Sequence, residues 1–275
     1  LGVTSFDRLE IEIIDLNNLN EVSLFLDRTK PKELYNLTGP SSVYDSFNKK
    51  KETTNQITNI FNNLTSSLIE LENFCNFFQA SSSEIFEDTY GEPIDENTKL
   101  NPNSPYAEAK LINHYKVIDL SKNYEWNIVS GIMFNHESEF RGNNYLTSKV
   151  IKAAHNIYCK SSDNLEIGSL DYVRDWSYAS DVTDAMHTLV KKNASGSYII
   201  GSGEGHTIKD LVNAVFNYYN LPYEKYIKVN KSLLRENDPI SKISNPSKIL
   251  NDFGWKVKID FETLIINCIK NRNLK

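Results

Sequence analysis

A tyrosine and a lysine stand four residues apart in the stretch SPYAEAK (residues 104–110). Four helical residues make about one turn and rise about 6 Å, so Tyr106 and Lys110 would lie on the same helix face. An ammonium group there lowers the pKa of a phenol, which is ordinarily about 10, and makes the phenol usable as an acid or base near neutral pH. The same pattern also suits a plain helix that begins at Pro105, with Tyr106 toward the core and Lys110 toward solvent. The spacing alone favours that plain interpretation.

The elements that must position this pair can be predicted from hydrophobic periodicity. Short apolar runs alternate with longer amphipathic stretches, which is typical of repeated βα units and a parallel sheet. The chain is therefore predicted to be an α/β protein. The predicted strands are EIEII (residues 10–14), ELYNL (33–37), NFFQA (76–80), NIVSGIMF (127–134) and SYII (197–200). The predicted helices cover residues 18–27, 56–73, 105–121, 146–158 and 208–219.

Polar side chains follow three of these strands at the point where each strand ends. They occupy residues 38–41, 81–84 and 135–138, and they include several hydroxyls and the carboxylate of Glu84. Ligands of open parallel sheets bind beyond the carboxyl ends of the strands. We therefore expect these groups to meet the helix of Tyr106 in one crevice, which strengthens the chemical interpretation of the Tyr106 and Lys110 pair.

Composition restricts the partners. The 275 residues carry a net charge of −6 with dispersed lysines and arginines, so nucleic acid is not the expected partner. The sequence shows no apolar run near 18 residues and no cationic and apolar leader, so we expect no membrane span and a cytoplasmic location. Three cysteines without a Cys-x-x-Cys pair, and five scattered histidines, predict neither a disulfide framework nor a metal site.

Several segments resemble those of a known family. They are SSSE ahead of SPYAEAK, then FNHESEFRG (residues 134–142) and LDYVRDW (170–176), with YNLTGPSSV (35–43) and the closing NPSKILNDFGWK (245–256). Together they resemble the GDP-mannose 4,6-dehydratase family of extended short-chain dehydrogenase/reductases over nearly the whole chain. FNHES and RDW are the specific segments, because the Tyr-x-x-x-Lys spacing is shared by the entire superfamily.

The resemblance implies a Rossmann-like, doubly wound parallel sheet with a smaller mixed α/β substrate-binding C-terminal part. Residues 1–140 would form the cofactor-binding core and residues 141–275 mainly the nucleotide-sugar-binding part, with the elements of residues 180–219 returning to the core. It also implies a glycine-rich first βαβ unit, but this chain starts directly before what corresponds to the third strand. The sheet is therefore expected to be incomplete at the N-terminus. The cluster GSGEG (residues 201–205) has the wrong spacing and place for that fingerprint and is predicted to be a turn.

The family's chemistry can be carried over to four residues of this chain. Tyr106, held ionised by Lys110, would take the proton of the sugar C4 hydroxyl during oxidation, and the Ser82 hydroxyl would stand next to the new ketone. Glu84 would then remove the C5 proton while the C6 hydroxyl leaves as water, which gives a 4-keto-6-deoxy sugar. Simple epimerases of this fold need no base at C5, so Glu84 favours dehydration.

The resemblance also implies a cofactor and a substrate. The cofactor would be NADP or NAD. The sequence does not distinguish the two, because the residues that would do so are not in this chain. The residues expected at the cofactor are Asp15, Leu16, Leu37, Tyr106 and Lys110. The residues expected at the GDP-linked sugar are Ser41, Asn135, Lys149, Arg174, Arg235 and Asp238. Arg174 could instead pair with Asp171 or Asp175. No metal is expected.

Two alternative functions remain open from the sequence. The chain could be a nucleotide-sugar epimerase or reductase of the same fold, or a truncated, non-catalytic paralogue that binds a GDP-sugar. By resemblance we also expect a homodimer or homotetramer built from the long helices, including those over residues 56–73 and 105–121.

Overall fold

The computed structural model describes residues 9–234 and 238–272 as an α/β fold. Its main sheet has the strand order β1-β2-β3-β8, and all of its pairs are parallel. The strands are β1 (Glu33–Asn36), β2 (Asn76–Ser82), β3 (Ile128–Met133), β4 (Asn135–Glu137), β5 (Leu165–Ile167), β6 (Val173–Arg174), β7 (Trp176–Tyr178), β8 (Gly196–Ile200), β9 (His206–Thr207), β10 (Ile227–Val229) and β11 (Ser241–Lys242). The helices are α1 (Leu19–Thr29), α2 (Val43–Asn48), α3 (Lys50–Glu70), α4 (Pro105–Asn123), α5 (Leu146–Tyr158), α6 (Ala179–Lys191), α7 (Ile208–Tyr218), α8 (Ser247–Phe253) and α9 (Phe261–Lys270).

Helices cover both faces of the main sheet. Phe77 of β2 packs with α1 and α3 in one buried cluster, whereas the adjacent Phe78 packs with α6 in another. Successive residues of a strand point to opposite faces, so a strand that is buried on both faces must be apolar at consecutive positions. This explains why NFFQA carries two neighbouring phenylalanines and places β2 at the centre of the doubly wound core.

The C-terminal part has a core of its own. Helices α5, α7 and α9 share a buried cluster that includes Ile151, Leu211, Phe216 and Leu264. Short strands accompany this core: β5 pairs with β10, β4 with β7, and β6 with β11 and β9. Of the elements within residues 180–219, α6 and β8 belong to the main sheet layers, while α7 packs in this second cluster.

The structure contradicts one predicted strand, EIEII at residues 10–14. This segment has no regular secondary structure and leads into α1. Ile11 and Ile13 are 78% and 98% exposed, and the main sheet of the described residues ends at β1. A strand is stabilised by its ladder of backbone hydrogen bonds, so alternation without a neighbouring strand does not make one. An ion pair between Arg28 and Glu12, at 2.5 Å, links the segment to α1 instead.

The other predicted strands and helices are confirmed, with shifts at their ends. Helix α3 begins at Lys50 rather than at the predicted residue 56. The prediction missed its first turns because they are polar and carry no apolar periodicity. Strand β2 continues two residues beyond the prediction to Ser82. No helix in the described part of the chain is long and apolar enough to cross a membrane.

Close packing at the middle of the sheet gives a first prediction. A Cβ on Gly131 of β3 would overlap the ring of Phe78, which is fully buried and cannot move aside, and would lie 3.2 Å from Cδ1 of Ile200. We expect Gly131→Ala to lower the free energy of unfolding by about 1–3 kcal/mol, as overpacking of a core does. Urea unfolding followed by circular dichroism measures this.

The matched control is Gly142→Ala. A Cβ there meets the Tyr145 ring at an ordinary 3.5 Å, so its unfolding midpoint should stay close to that of the wild type. Equal stability of the two variants would contradict the packing of β3 against Phe78.

Candidate active site

The carboxyl end of β2 and the start of α4 bring the predicted catalytic residues together. Ser82 is the last residue of β2, and its side chain accepts a hydrogen bond from the backbone N–H of Glu84 at 3.3 Å, which starts a single 3-10 turn. Ser104 caps α4 through the N–H of Ala107 at 3.2 Å, and Pro105 occupies the first turn, where a missing N–H costs nothing. The helix therefore begins beside the end of the strand.

Tyr106 lies at the centre of this cluster. Burial raises the pKa of its phenol to about 12, and a hydrogen bond from the Ser82 side chain opposes that rise. The Glu84 carboxylate lies close enough to raise the pKa further. Ser82, Glu84 and Tyr106 thus form one interacting group, as predicted from the sequence.

Lys110 is buried, at 5% exposure, so the plain interpretation of a solvent-facing lysine is wrong. Its Nζ donates to the carbonyl oxygen of Ala80 at 2.9 Å and lies 5.7 Å from the centre of the Tyr106 ring. Burial lowers the pKa of Lys110 to about 8. Desolvation is the largest influence on the pKa of Tyr106, and Lys110 is not among the groups that shift it in this structure.

Glu84 forms an ion pair with a residue from the far end of the chain. Its carboxylate lies 3.2 Å from Nζ of Lys242 in β11, and the two side chains are 18% and 5% exposed. The sequence analysis missed Lys242. A lysine in a short strand ordinarily points to solvent, and nothing in the surrounding ISKIS indicates that this side chain turns inward.

A second hydroxyl cluster lies next to Tyr106. Ser41, in the loop after β1, shares a 2.8 Å hydrogen bond with the phenol of Tyr145, and the guanidinium of Arg141 stacks 3.6 Å from the centre of the Tyr145 ring. Both Tyr145 and Arg141 act electrostatically on Tyr106. The structure therefore brings Ser41 to the predicted crevice and adds Tyr145, which the motif analysis missed because a lone tyrosine before a helix is common.

The predicted substrate cations differ in their settings. Arg174 in β6 pairs with Asp238 at 3.0 Å rather than with the alternative partners Asp171 or Asp175. Lys149 is exposed on α5. Arg235 lies outside the described residues. Asn135 starts β4 and lies opposite Trp176, the first residue of β7 and the last of RDW, so the FNHES and RDW segments lie side by side.

The described residues fit the nicotinamide end of a dinucleotide. Ser81, beside Ser82 at the end of β2, is buried and its hydroxyl has no hydrogen-bond partner within the described chain, which leaves a donor for a bound molecule. Leu37 is 55% exposed just after β1. Asp15 closes a turn with the N–H of Asn17 at 2.9 Å, and Leu16 packs against the cluster of α1 and α3.

The glycine cluster GSGEG is a turn, as predicted. The buried carboxylate of Asp175 accepts hydrogen bonds from the backbone N–H groups of Ser202 and Gly203, at 2.8 and 3.0 Å. These amides are therefore not available to a pyrophosphate. In the part of the chain that the structure describes, no group of three or more His, Cys, Asp or Glu residues could hold a metal ion.

A Rossmann-like sheet that carries a buried Tyr/Lys helix beside a Ser and Glu loop defines an extended short-chain dehydrogenase/reductase. The family model of GDP-mannose 4,6 dehydratase matches residues 3–268. GDP-mannose 4,6 dehydratase 1 of Arabidopsis thaliana is 30% identical over 255 residues, which are 91% of this chain and 70% of that protein. GDP-mannose 4,6 dehydratase of Drosophila melanogaster is 28% identical over 283 residues, with 96% and 71% covered. The chain belongs to the GDP-mannose 4,6-dehydratase family.

Solved structures agree on the fold. The structure of RMD from Pseudomonas aeruginosa, complexed with NADPH, superposes with a TM-score of 0.87 at 19% identity and covers 94% of this chain and 87% of that one. DesIV, a dTDP-glucose 4,6-dehydratase from Streptomyces venezuelae with NAD and TYD bound, gives a TM-score of 0.77 at 17% identity, with 92% and 76% covered. These similarities confirm the Rossmann-like architecture predicted from the sequence.

The burial of Lys110 gives a prediction about stability and pH. Its folded pKa of about 8 lies below its ordinary 10.5, so at pH 7 the fold bears the full penalty of the buried charge, about 3 kcal/mol. Lys110→Met removes that charge and loses one hydrogen bond worth about 1 kcal/mol. The carbonyl oxygen of Ala80 still accepts a hydrogen bond from the Gln79 side chain at 3.0 Å, so the substitution does not leave it unpaired. We therefore expect the variant to be more stable by about 2 kcal/mol at pH 7.

The pH dependence identifies the cause of that difference. As the pH rises from 8 toward 10.5, the folded lysine loses its proton before the unfolded one does, so the wild type recovers stability and the gap should narrow. Denaturant unfolding at pH 7, 8.5 and 10 measures it. Lys122→Met, on the exposed last turn of α4, is the control and should show no comparable gap. A Lys110→Met variant that is less stable at pH 7 would contradict the desolvation account.

Proposed function

We propose that this protein is a nucleotide-sugar 4,6-dehydratase that converts GDP-mannose, or a related GDP-linked sugar, to the 4-keto-6-deoxy sugar. The observation that carries the proposal is the position of Glu84, whose carboxylate interacts with the Tyr106 phenol at the carboxyl end of β2. A dehydration needs a base for the carbon next to the new ketone as well as a group for the hydroxyl proton. Family membership and this pair of groups support the same reaction.

Tyr106 serves the first half of the reaction. As a phenolate it takes the proton of the C4 hydroxyl, and the Ser82 hydroxyl, already hydrogen-bonded to it, lies ready to contact the C4 oxygen. A bound nicotinamide dinucleotide supplies the reversible acceptance of the C4 hydrogen as hydride. Because burial holds the pKa of Tyr106 at about 12, the phenolate forms only when ligands add positive charge beside it.

Glu84 serves the second half. The C4 ketone acidifies the C5 proton, which the carboxylate removes; the C6 hydroxyl then takes up this proton from Glu84 and leaves as water. The hydrogen that left C4 ends at C6, and C5 regains a proton, the one that Tyr106 took from the C4 hydroxyl. The net change is the loss of one water molecule. Glu84 and Tyr106 therefore act at adjacent carbons of one sugar ring.

We propose NADP as the cofactor, with NAD as the alternative. Lys110 and Tyr106, with Asp15, Leu16 and Leu37, are the residues proposed to contact it. The unpartnered Ser81 hydroxyl and the exposed Leu37 at neighbouring strand ends support this placement. Chromatography of the nucleotide released by acid from the purified protein distinguishes NADP from NAD.

The GDP-sugar is proposed to lie between the end of the main sheet and the C-terminal part. Ser41 and Asn135 lie at the sheet side, while Lys149, Arg174 and Asp238 lie in the other part, with Arg235 outside the described residues. Arginine binds diphosphate well through its planar fork. The ion pair of Arg174 with Asp238 supports a role in which Asp238 orients the guanidinium before the substrate arrives.

We also propose that the protein forms a homodimer or homotetramer through α3 and α4. Ile112 and Tyr115 of α4 are 40% and 52% exposed, which supports an apolar contact there. Light scattering that gives only the monomer mass at micromolar concentration would contradict this.

Tyr106→Phe tests the first half of the reaction. The change removes only the titrating oxygen, so GDP-sugar affinity should remain within about twofold while the turnover falls by about 100-fold or more. Calorimetric titration with GDP-mannose and detection of the 4-keto product measure the two quantities. The control is Tyr218→Phe, an exposed tyrosine of α7, which should behave as the wild type does.

Glu84→Gln separates dehydration from epimerisation. This variant should still oxidise C4, which is visible as reduced nicotinamide absorbance, but it should neither eliminate water nor incorporate solvent deuterium at C5. Glu87→Gln, whose carboxylate pairs with Lys99 at 2.9 Å on the neighbouring loop, is the matched control. Unchanged dehydration by Glu84→Gln would exclude Glu84 as the base, and a 4-epimer as the product would favour the epimerase alternative.

A further inference from the structure

We infer that Lys242 is a positioning residue for Glu84: it holds the carboxylate ionised and oriented toward the substrate, and so couples the C-terminal part to the elimination step. The inference rests on the proposed function and assigns a role to a residue outside every segment that carries the family resemblance.

The ion pair is enclosed. The Lys242 side chain is 5% exposed and its Nζ lies 3.2 Å from the Glu84 carboxylate, which is 18% exposed. Most surface ion pairs contribute little, but a lysine that is removed from water requires a counter-charge to remain charged. Lys242 thus favours the ionised form of Glu84, which is the form that a base must have before it accepts a proton.

The backbone around Lys242 is fixed on two sides. On one side β11 pairs with β6, with Lys242 opposite Arg174, and the carbonyl of Lys242 accepts from the N–H of Asp175 at 3.1 Å. On the other side, the buried Ile94 donates to Ile243 at 2.9 Å and accepts from Asn245 at 2.7 Å. A side chain on so constrained a strand holds its partner in a narrow range of positions.

Two neighbouring cations among the described residues have partners other than Glu84. Arg174, on the adjacent strand, directs its guanidinium to Asp238 at 3.0 Å. Glu84 also acts electrostatically on the phenol of Tyr106, whose pKa burial raises to about 12. Lys110, on the same helix as Tyr106, donates to Ala80 instead. Lys242 therefore lies in direct ionic contact with the proposed base.

The test compares Lys242→Met with Lys242→Arg. Methionine keeps the length of the apolar stem and removes the charge, so turnover should fall about tenfold or more while C4 oxidation persists and reduced cofactor accumulates. An opposite charge at this distance lowers a carboxyl pKa by about 1–3, so the acid limb of the pH–rate profile should move up by a similar amount in Lys242→Met. Lys242→Arg should restore the wild-type profile in large part.

The control is Lys258→Met, which removes a surface ion pair with Asp184 at 2.8 Å and should leave both the rate and the profile unchanged. A Lys242→Met enzyme with the wild-type acid limb and no accumulated reduced cofactor would overturn the inference. A uniform loss of both half-reactions, not rescued by arginine, would also overturn it, because it would indicate a purely structural role.

A measurement without turnover separates this inference from the proposed function. Infrared difference spectra, with the Glu84 signal assigned by its loss in Glu84→Gln, follow protonation of this carboxyl as the pH falls. Its midpoint should rise in Lys242→Met, and an unchanged midpoint would overturn the inference. If the wild type forms no 4-keto-6-deoxy sugar at all, the proposed function fails, and the spectra still decide whether Lys242 controls the ionisation of Glu84.

Discussion

The exclusion of water from the junction between β2 and α4 is the constraint on which the rest of the site depends. It raises the pKa of Tyr106 to about 12 and lowers that of Lys110 to about 8, so both groups are held in their neutral forms more readily than in water. The free-energy cost of this desolvation is offset by apolar packing, because Phe77 and Phe78 of β2 pack against helices on both faces of the sheet. The phenol in such a site stays protonated, and therefore inactive as a base, until a bound ligand changes the electrostatics. This suits an enzyme that must not react before its sugar is bound.

The sequence was informative where chemistry and periodicity coincide. The Tyr106 helix, the strand NFFQA and the polar residues after it were all predicted. A parallel strand that is covered on both faces is a continuous apolar run, and its polar end follows directly in the sequence, so both can be recognised from neighbouring residues. The contribution of Lys242 could not be predicted. It depends on a contact between positions 84 and 242, and one sequence carries no signal of the direction in which a single lysine on a two-residue strand points.

Two errors have a common physical origin. The segment at residues 10–14 has the alternation of a strand but lacks a neighbouring strand among the described residues, and Lys110 has the spacing of a solvent-facing helix residue but is buried. In both cases the local pattern was correct and the surroundings determined the outcome. Local patterns specify what a segment can do, whereas its neighbours in space decide what it does.

The carboxylate of Asp175 accepts five hydrogen bonds, two from Ser202, one from Gly203 and two from Ser244. One buried residue thereby fastens three segments that are distant in sequence. Such shared anchoring makes local opening cooperative, since releasing any one segment leaves a buried charge with fewer donors. The turn after β8, the RDW segment and the segment after Lys242 should therefore exchange their amide hydrogens as one unit. The Lys242 charge then keeps its position beside Glu84 for as long as these three segments stay together.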